Sequence, residues 1–228
     1  MNLTAQQKRI CEQIINVFES GSIKGDYSTI SIYNDGPNGK RQVTYGRSQT
    51  TEYGNLRELI KMYVDAKGTF SNDLLPYVEQ IGVTPLVDNK QFKQLLRDAG
   101  RRDPVMHQVQ DMFFDKRYFQ PAMEWAGSNG FILPLSALVI YDSFIHSGSI
   151  LGFLRERFPE VPPAKGGDEK TWIKQYVDAR DHWLSNAENE VLRRTVYRTG
   201  CFKREIARGN WDLSQLPIDA NGVDVRGD

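Results

Sequence analysis

The sequence predicts a mainly helical protein with one small β-hairpin. Apolar residues recur at helical spacing along most of the chain, strict alternation is confined to the stretch from Tyr27 to Gly46, and Asn34-Asp35-Gly36-Pro37-Asn38-Gly39 concentrates turn residues inside that stretch. With 228 residues, 39% hydrophobic and 25% charged, the chain can bury a sizeable core and has an ordinary globular composition.

Thr4 followed by Gln7 matches a capping box and opens a first helix from about Ala5 to Phe18, with Ile10, Ile14, Val17 and Phe18 on one face and Gly21 as its stop. Ile30 and Ile32 alternate with polar residues, and Gln42-Val43-Thr44-Tyr45 resumes an extended run beyond the turn; this hairpin reads as the only substantial sheet. Asn55 with Glu58 can cap a helix carrying Leu56, Leu59, Ile60 and Tyr63, and Asp88 can start the next, with Phe92, Leu95 and Leu96. Arg101-Arg102 reads as a solvated loop, after which Asp103-Pro104 opens a third helix through Val109 and Phe113. Pro121 begins a separate segment. Leu133 to His146, apolar on most faces, is the central helix. Pro162-Pro163 and Gly166-Gly167 break the chain before Asp168, from which Trp172, Ile173, Tyr176, Trp183, Leu184 and Val191 mark a long amphipathic helix.

Composition excludes several functions. The 29 basic and 29 acidic side chains cancel, which argues against a nucleic-acid partner, because phosphate neutralisation calls for excess Lys and Arg. The longest apolar stretch, Phe131 to Ile145, contains Pro134, Ser136, Asp142 and Ser143 and is too short and polar for a membrane span. The opening residues lack a basic segment followed by a clean apolar core, so no signal peptide is legible. Cys11 and Cys201 are too few for a disulfide scaffold and leave both pairing and compartment open; Cys11, near Ile10 and Ile14, reads as buried rather than nucleophilic. His107, His146 and His182 are isolated, and Gly36 to Gly39 lacks the Lys-Ser/Thr end of a phosphate loop, so no metal or cofactor is expected.

The arrangement with chemical content is a helix ending in Phe18-Glu19-Ser20-Gly21, followed by a hairpin whose turn carries Asp35 and whose return strand carries Thr44. A glycosidase needs one carboxyl group to protonate the leaving oxygen and a second to activate water or attack the sugar. Glu19, beside Phe18 at the negative end of a helix dipole, would have its neutral form favoured, which suits an acid; Asp35, on a polar turn, suits a base. Taken singly, a Glu near a helix end is usually solvated and an Asp before Gly is usually turn chemistry. Tyr33, Tyr45, Tyr53 and Trp125 could stack on sugar faces, although most aromatics in such a chain are core.

Phe18-Glu19, Ile32-Tyr33-Asn34-Asp35 and Val43-Thr44-Tyr45-Gly46 together resemble the helix, hairpin and Thr-bearing strand of phage-type, lysozyme-like glycosidases. Tyr118 to Ala122, Tyr141 to Gly148, Gly166 to Glu169, Val177 to Arg180 and Gly209 to Leu213 are similar, in order, to stretches of glycoside hydrolase family 46, the chitosanases. The resemblance implies a two-lobed fold with a cleft between the lobes and endo-hydrolysis of β-1,4-linked glucosamine polymer with inversion. One catalytic domain would span 1–228, with a hairpin-bearing lobe around 20–55 and a helical lobe around 65–210. By position, Glu19 falls on the general acid, Asp35 on the base with Asp26 as fallback, and Thr44 on the hydroxyl that holds the water. Inversion calls for roughly 6.5 to 9.5 Å between the carboxyl groups. Asp142 falls on an aspartate in an arginine network supporting the acid, its partners expected between Arg193 and Arg208, with Arg198 chosen. Tyr33 and Arg47 complete the expected substrate-binding set.

Two departures bear on substrate. In the family the base belongs to a compact Asp-Gly-Arg-Gly-Tyr-Thr run, whereas here Asp35 and Thr44 are separated by a longer, basic insertion. Asn55 stands where the family has an aspartate that binds a substrate amino group, and an amide cannot pair with an ammonium as a carboxylate does. With Lys40, Arg41 and Arg47 on or near the hairpin, read as solvated charges, this keeps peptidoglycan glycan strands open as the alternative polymer for a muramidase, and a non-catalytic sugar-binding module open as a third reading. Chitosan would require the acids to be concentrated around Glu19 and Asp35. A monomer acting on polysaccharide, without nucleic acid or membrane, is the expected state, and the family implies secretion.

Overall fold

The computed structural model describes every residue from Met1 to Asp228 except Ser48. In chain order the elements are α1 (Ala5–Ser20), β1 (Ile30–Tyr33), β2 (Gln42–Tyr45), β3 (Thr50–Thr51), α2 (Leu56–Asp65), α3 (Ser71–Leu74), α4 (Lys90–Arg102), α5 (Pro104–Phe114), α6 (Gln120–Ser128), α7 (Pro134–Ser147), α8 (Gly152–Arg155), α9 (Glu169–Ser185), α10 (Glu190–Arg193), α11 (Tyr197–Ala207), β4 (Ile218–Ala220) and β5 (Val223–Val225). The mainly helical class with a small antiparallel sheet holds. The chain divides into two compact units, Gly25–Asp115 and Met1–Lys24 with Lys116–Asp228. The hairpin-bearing unit thus runs well past the 20–55 lobe read from the sequence, because the core beneath the hairpin comes from α2, α4 and α5.

In unit Gly25–Asp115, β1 pairs antiparallel with β2, Ser31 opposite Thr44 and Tyr33 opposite Gln42, and β2 pairs with β3, Thr44 opposite Thr51. Strand alternation sends Val43 and Tyr45 into a core with Leu59, Ile60, Phe92 and Leu96, and puts Gln42 and Thr44 on the other face with their cross-strand neighbours Tyr33 and Ser31. Tyr45 Oη donates to the Leu96 carbonyl at 2.7 Å. Buried Glu52 accepts from Val43 N–H at 3.1 Å and Leu86 N–H at 2.6 Å, tying β2 to the segment before α4.

Several helix starts differ from expectation. Asn55 precedes α2 but its side chain makes no capping bond. Asn89, not Asp88, caps α4, accepting from Phe92 N–H at 2.9 Å. Arg101 and Arg102 form the last turn of α4 rather than a loop; cations are favourable at that end of the dipole, and Arg102 meets Asp98 one turn back at 2.5 Å.

Asp103 caps α5 as expected, accepting from Val105 N–H at 2.9 Å, and is buried while also accepting from Tyr63 Oη at 2.5 Å and Thr69 N–H at 2.7 Å. Burial pushes its carboxyl group up, but the bonds from Tyr63, Val105 and Thr69 outweigh this and hold it below the usual range. A depressed folded-state value stabilises above the unfolded value, about 3.9, and that contribution is lost as pH falls through the folded value. Asp103→Asn should therefore lower the thermal midpoint at neutral pH, and the gap to wild type should close in strong acid. A gap independent of pH would show that the carboxylate charge is not what stabilises this corner.

In the other unit the Thr4 capping box forms, and Gly21, at φ 70°, closes α1 with its N–H on the Val17 carbonyl at 2.8 Å. Helix α7 is the centre, buried from Pro134 through Ser143, and the Glu169 carboxylate receives Leu133 N–H at 2.8 Å at its N-terminal end. The segment at Pro121 does not open afresh, since α6 follows directly on a π-helical turn, Asp115–Phe119. Asp168 caps α9 as expected, but α9 stops at Ser185, and Val191 lies 69% exposed in the separate α10. The hairpin is also not the only sheet. β4 and β5 form a second ladder around Asn221-Gly222, both at positive φ (53° and 84°), the conformation that a tight two-residue turn requires.

Candidate active site

Glu19 occupies the last turn of α1, which the sequence anchors on both sides. Tyr197 Oη donates to the Phe18 carbonyl at 2.7 Å, and the Phe18 ring packs edge-on against Tyr197 and Phe202 at 5.5 and 5.9 Å. Arg198 then reaches Glu19 Oε1 at 2.5 Å and, with its other terminal nitrogen, Asp142 Oδ1 at 2.7 Å. Arg180 reaches Asp142 Oδ2 at 2.6 Å. The result is a chain of alternating charge, Arg180–Asp142–Arg198–Glu19, assembled from α9, α7, α11 and α1. Side-chain exposures of 1%, 0%, 4% and 22% along it identify Glu19 as the end that meets solvent.

Burial pushes Asp142 up, yet Arg180 and then Arg198 outweigh it and hold the carboxyl group below the usual range, so the interior of the chain stays ionised. Burial and then Arg180 push the neighbouring His146 down to about 4, leaving its ring uncharged near neutral pH. Tyr176 Oη donates to Ser143 Oγ at 2.9 Å, and Ser143 Oγ donates to the Val139 carbonyl at 2.8 Å, which packs a second polar layer behind Arg180.

Arg198 is the partner expected for Asp142. Arg180 is not, since both arginines were expected between Arg193 and Arg208. A legible signal for it exists: Ile173, Tyr176, Val177, Arg180 and Leu184 share the buried stripe of α9, and a cation on an apolar stripe demands a buried acid. The Arg198 guanidinium contacts the Glu19 carboxyl group directly.

In unit Gly25–Asp115, Asp35 is exposed and accepts from Gln42 Nε2 at 2.8 Å. It borders an open recess of about 310 Å³ whose walls include Gly36, Pro37, Thr51, Tyr53 and Gly54. Thr44, two residues beyond Gln42 on the same face of β2, is 5% exposed, and its Oγ1 has no hydrogen-bond partner among the described residues. Tyr33 lies opposite Gln42 and is half exposed, able to present its ring to a sugar. Asn55 is partly exposed, its amide not engaged in capping.

The other candidates are structural in their local settings. Asp26 accepts from Ser28 and Thr29 through backbone and hydroxyl donors; burial pushes it up, but these bonds, led by the Thr29 hydroxyl, hold it below the usual range as a turn-former. Arg47 is no solvated hairpin charge: it is buried, paired with Asp111, and lies 4.8 Å over the Phe114 ring. Arg41 is exposed and meets Asp88 at 3.4 Å, and Lys40 is exposed. Tyr45 is core, and Trp125 stacks on Phe131 at 5.8 Å. Cys11 and Cys201 are buried free thiols, both pushed up chiefly by burial, Cys201 to about 12. Among the described residues no three His, Cys, Asp or Glu side chains gather as a metal site.

A carboxyl group held at the solvent end of a buried ion-pair chain, and a second on a hairpin whose return strand carries a hydroxyl with no partner among the described residues, are groups of the kind that glycosidic hydrolysis uses. The profile of Glycosyl hydrolase family 46 matches residues 13–218, and the chain belongs to that family. It is 26% identical over 230 residues to a chitosanase of Bacillus subtilis (strain 168), covering 93% of this chain and 81% of that protein. A chitosanase of Streptomyces sp. (strain N174) is 26% identical over 221 residues, covering 91% and 77%. Among solved structures, the complex of the GH46 chitosanase GsCsn46A of Gynuella sunshinyii with chitotetraose superposes with a TM-score of 0.80 at 27% identity, covering 98% of each chain.

Proposed function

We propose that the protein is an endo-acting, inverting hydrolase of chitosan, with Glu19 as general acid, Asp35 as general base and Thr44 as the hydroxyl that holds the attacking water. The observation that carries this is the Arg180–Asp142–Arg198–Glu19 chain, which fixes the one carboxyl group of the buried cluster that can meet a sugar. In this mechanism Glu19 delivers its proton to the glycosidic oxygen as the bond to the anomeric carbon lengthens. Asp35 takes a proton from a water that Thr44 Oγ1 orients, and this water attacks from the opposite face, giving one new reducing end of inverted configuration. Tyr33 and Asn55 serve the flanking sugars. The chitotetraose complex of the relative from Gynuella sunshinyii supports a glucosamine polymer as substrate.

Asn55 favours a second reading, hydrolysis of peptidoglycan, because its neutral amide can bond an N-acetylated sugar but cannot pair with an ammonium group as a carboxylate does. The hairpin argues for it less than the sequence suggests, since Arg47 is buried and paired and Arg41 is matched by Asp88. Release of reducing ends from chitosan, run beside clearing of purified cell walls, separates the two. The proposal expects chitosan cleavage with an early fall in viscosity, the mark of internal cuts; clearing of walls with no action on chitosan would overturn it.

A further inference from the structure

Between Asp35 and Thr44 the chain makes an excursion from the ladder that closes on itself: Gly36 N–H donates to the Lys40 carbonyl at 3.0 Å, and Gly39 N–H donates to the Gly36 carbonyl at 2.9 Å around a single turn at Pro37–Gly39. Gly36 is required there, since a Cβ would stand 2.7 Å from the Lys40 carbonyl and 3.0 Å from the Tyr53 ring. The chain therefore leaves and re-enters the ladder at neighbouring points, with Tyr33 paired to Gln42, and Asp35 lies beside the first residue of β2.

We infer that Gln42 is the positioning residue of the general base; the inference rests on the assignment of Asp35 above. The Gln42 side chain is buried, and both ends of its carboxamide are engaged. Its Oε1 accepts from Tyr53 N–H at 3.2 Å, and its Nε2 donates to Asp35 Oδ1 at 2.8 Å. The backbone N–H of Tyr53 can only donate, so it fixes which end of the amide is oxygen. The NH₂ end then faces Asp35 and can only donate in turn, so the carboxyl group must offer a lone pair to it. The backbone beyond β3 thus dictates, through one side chain, both where Asp35 sits and which of its oxygens is occupied. Side-chain alternation along β2 places Gln42 on the face of Thr44, so the bond holds the Asp35 carboxyl group on the side of the sheet where Thr44 Oγ1 lacks a partner among the described residues. Gln42 touches no reacting atom in this scheme and acts only through Asp35.

The test is a cycle of variants assayed on chitosan. Gln42→Met keeps length and bulk but removes the donor, and should lower kcat about tenfold or more, the loss expected for one hydrogen bond to a charged group, with KM little changed. Gln42→Glu keeps the acceptor for Tyr53 N–H, sets a second carboxylate against Asp35, and should cost at least as much. Asp35→Asn should all but abolish turnover, and adding Gln42→Met to it should lower the residual rate no further, because Gln42 acts through the group already removed. Equal fractional losses from Gln42→Met in both backgrounds would overturn the inference in favour of a merely structural role, as would wild-type kcat in both folded Gln42 variants. If Asp35→Asn stays active, the base assignment itself falls; if Asp35→Asn is dead while the Gln42 variants are unimpaired, only the role of Gln42 falls.

Discussion

Glu19→Gln is expected to lower kcat on chitosan by about 10³-fold, within the range a positioned general acid contributes, while leaving the affinity for a glucosamine oligomer near that of the wild type. The amide is isosteric, so Arg198 loses only the charged half of its bond to this position and remains paired with Asp142. A glutamine amide is far too weak an acid to give a leaving oxygen a proton. Steady-state kinetics paired with calorimetric titration of the oligomer read the two effects separately. Loss of binding together with turnover would mean that the end of α1 is distorted; undiminished turnover would remove Glu19 from the mechanism and require another group as the acid.

The second large effect is on stability. Asp142→Ala should cost about 3 to 5 kcal/mol, because it leaves two guanidinium groups buried with no counter-charge between them. In a chain of this length that corresponds to a fall of roughly 6 to 20 °C in the thermal midpoint. Arg180 Nε and Nη2 and Arg198 Nε already lack hydrogen-bond partners among the described residues, so little else stands ready to compensate. The exposed ion pair Arg194–Glu190, one turn apart on the surface at 2.6 Å, is the contrast: breaking it should change stability by about 0.5 kcal/mol or less. Equal effects at the two sites, measured by thermal unfolding, would contradict the view that burial makes the difference.

The buried chain is an uneconomical way to stabilise a core, since apolar residues of matched volume commonly do as well as a buried ion pair. Its use is geometric. Through Arg198 it holds the carboxyl group of a half-buried Glu19 at the end of α1, where a solvated Glu would sample several rotamers.

What the sequence reveals follows the range of each interaction. The Thr4 capping box, the Gly21 stop, the Asp103-Pro104 start and the Asp168 cap are settled within a few residues of chain, and each forms as expected. The Asn221-Gly222 hairpin is just as local, with Ile218, Ala220, Val223 and Val225 alternating about it, and was legible in the same terms. Asn89 wins the cap of α4 over Asp88 by a single residue of phase, which composition alone cannot resolve. Non-local pairings are different in kind. Arg180 meets Asp142 only because α9 packs on α7, and the meeting of Gln42 with Asp35 depends on strand register and on the closed turn between them. Arg47 reads as a surface charge until α5 supplies Asp111 and Phe114.

The most direct test of the central claim is a proton NMR time course of a glucosamine hexamer cleaved by the wild-type enzyme, following the anomeric signals before mutarotation. Acid catalysis by Glu19 with base-activated water from Asp35 predicts internal cleavage and new reducing ends appearing first as the α-anomer. New ends appearing first as the β-anomer would contradict the paired assignment and require one of the carboxyl groups to act as a nucleophile.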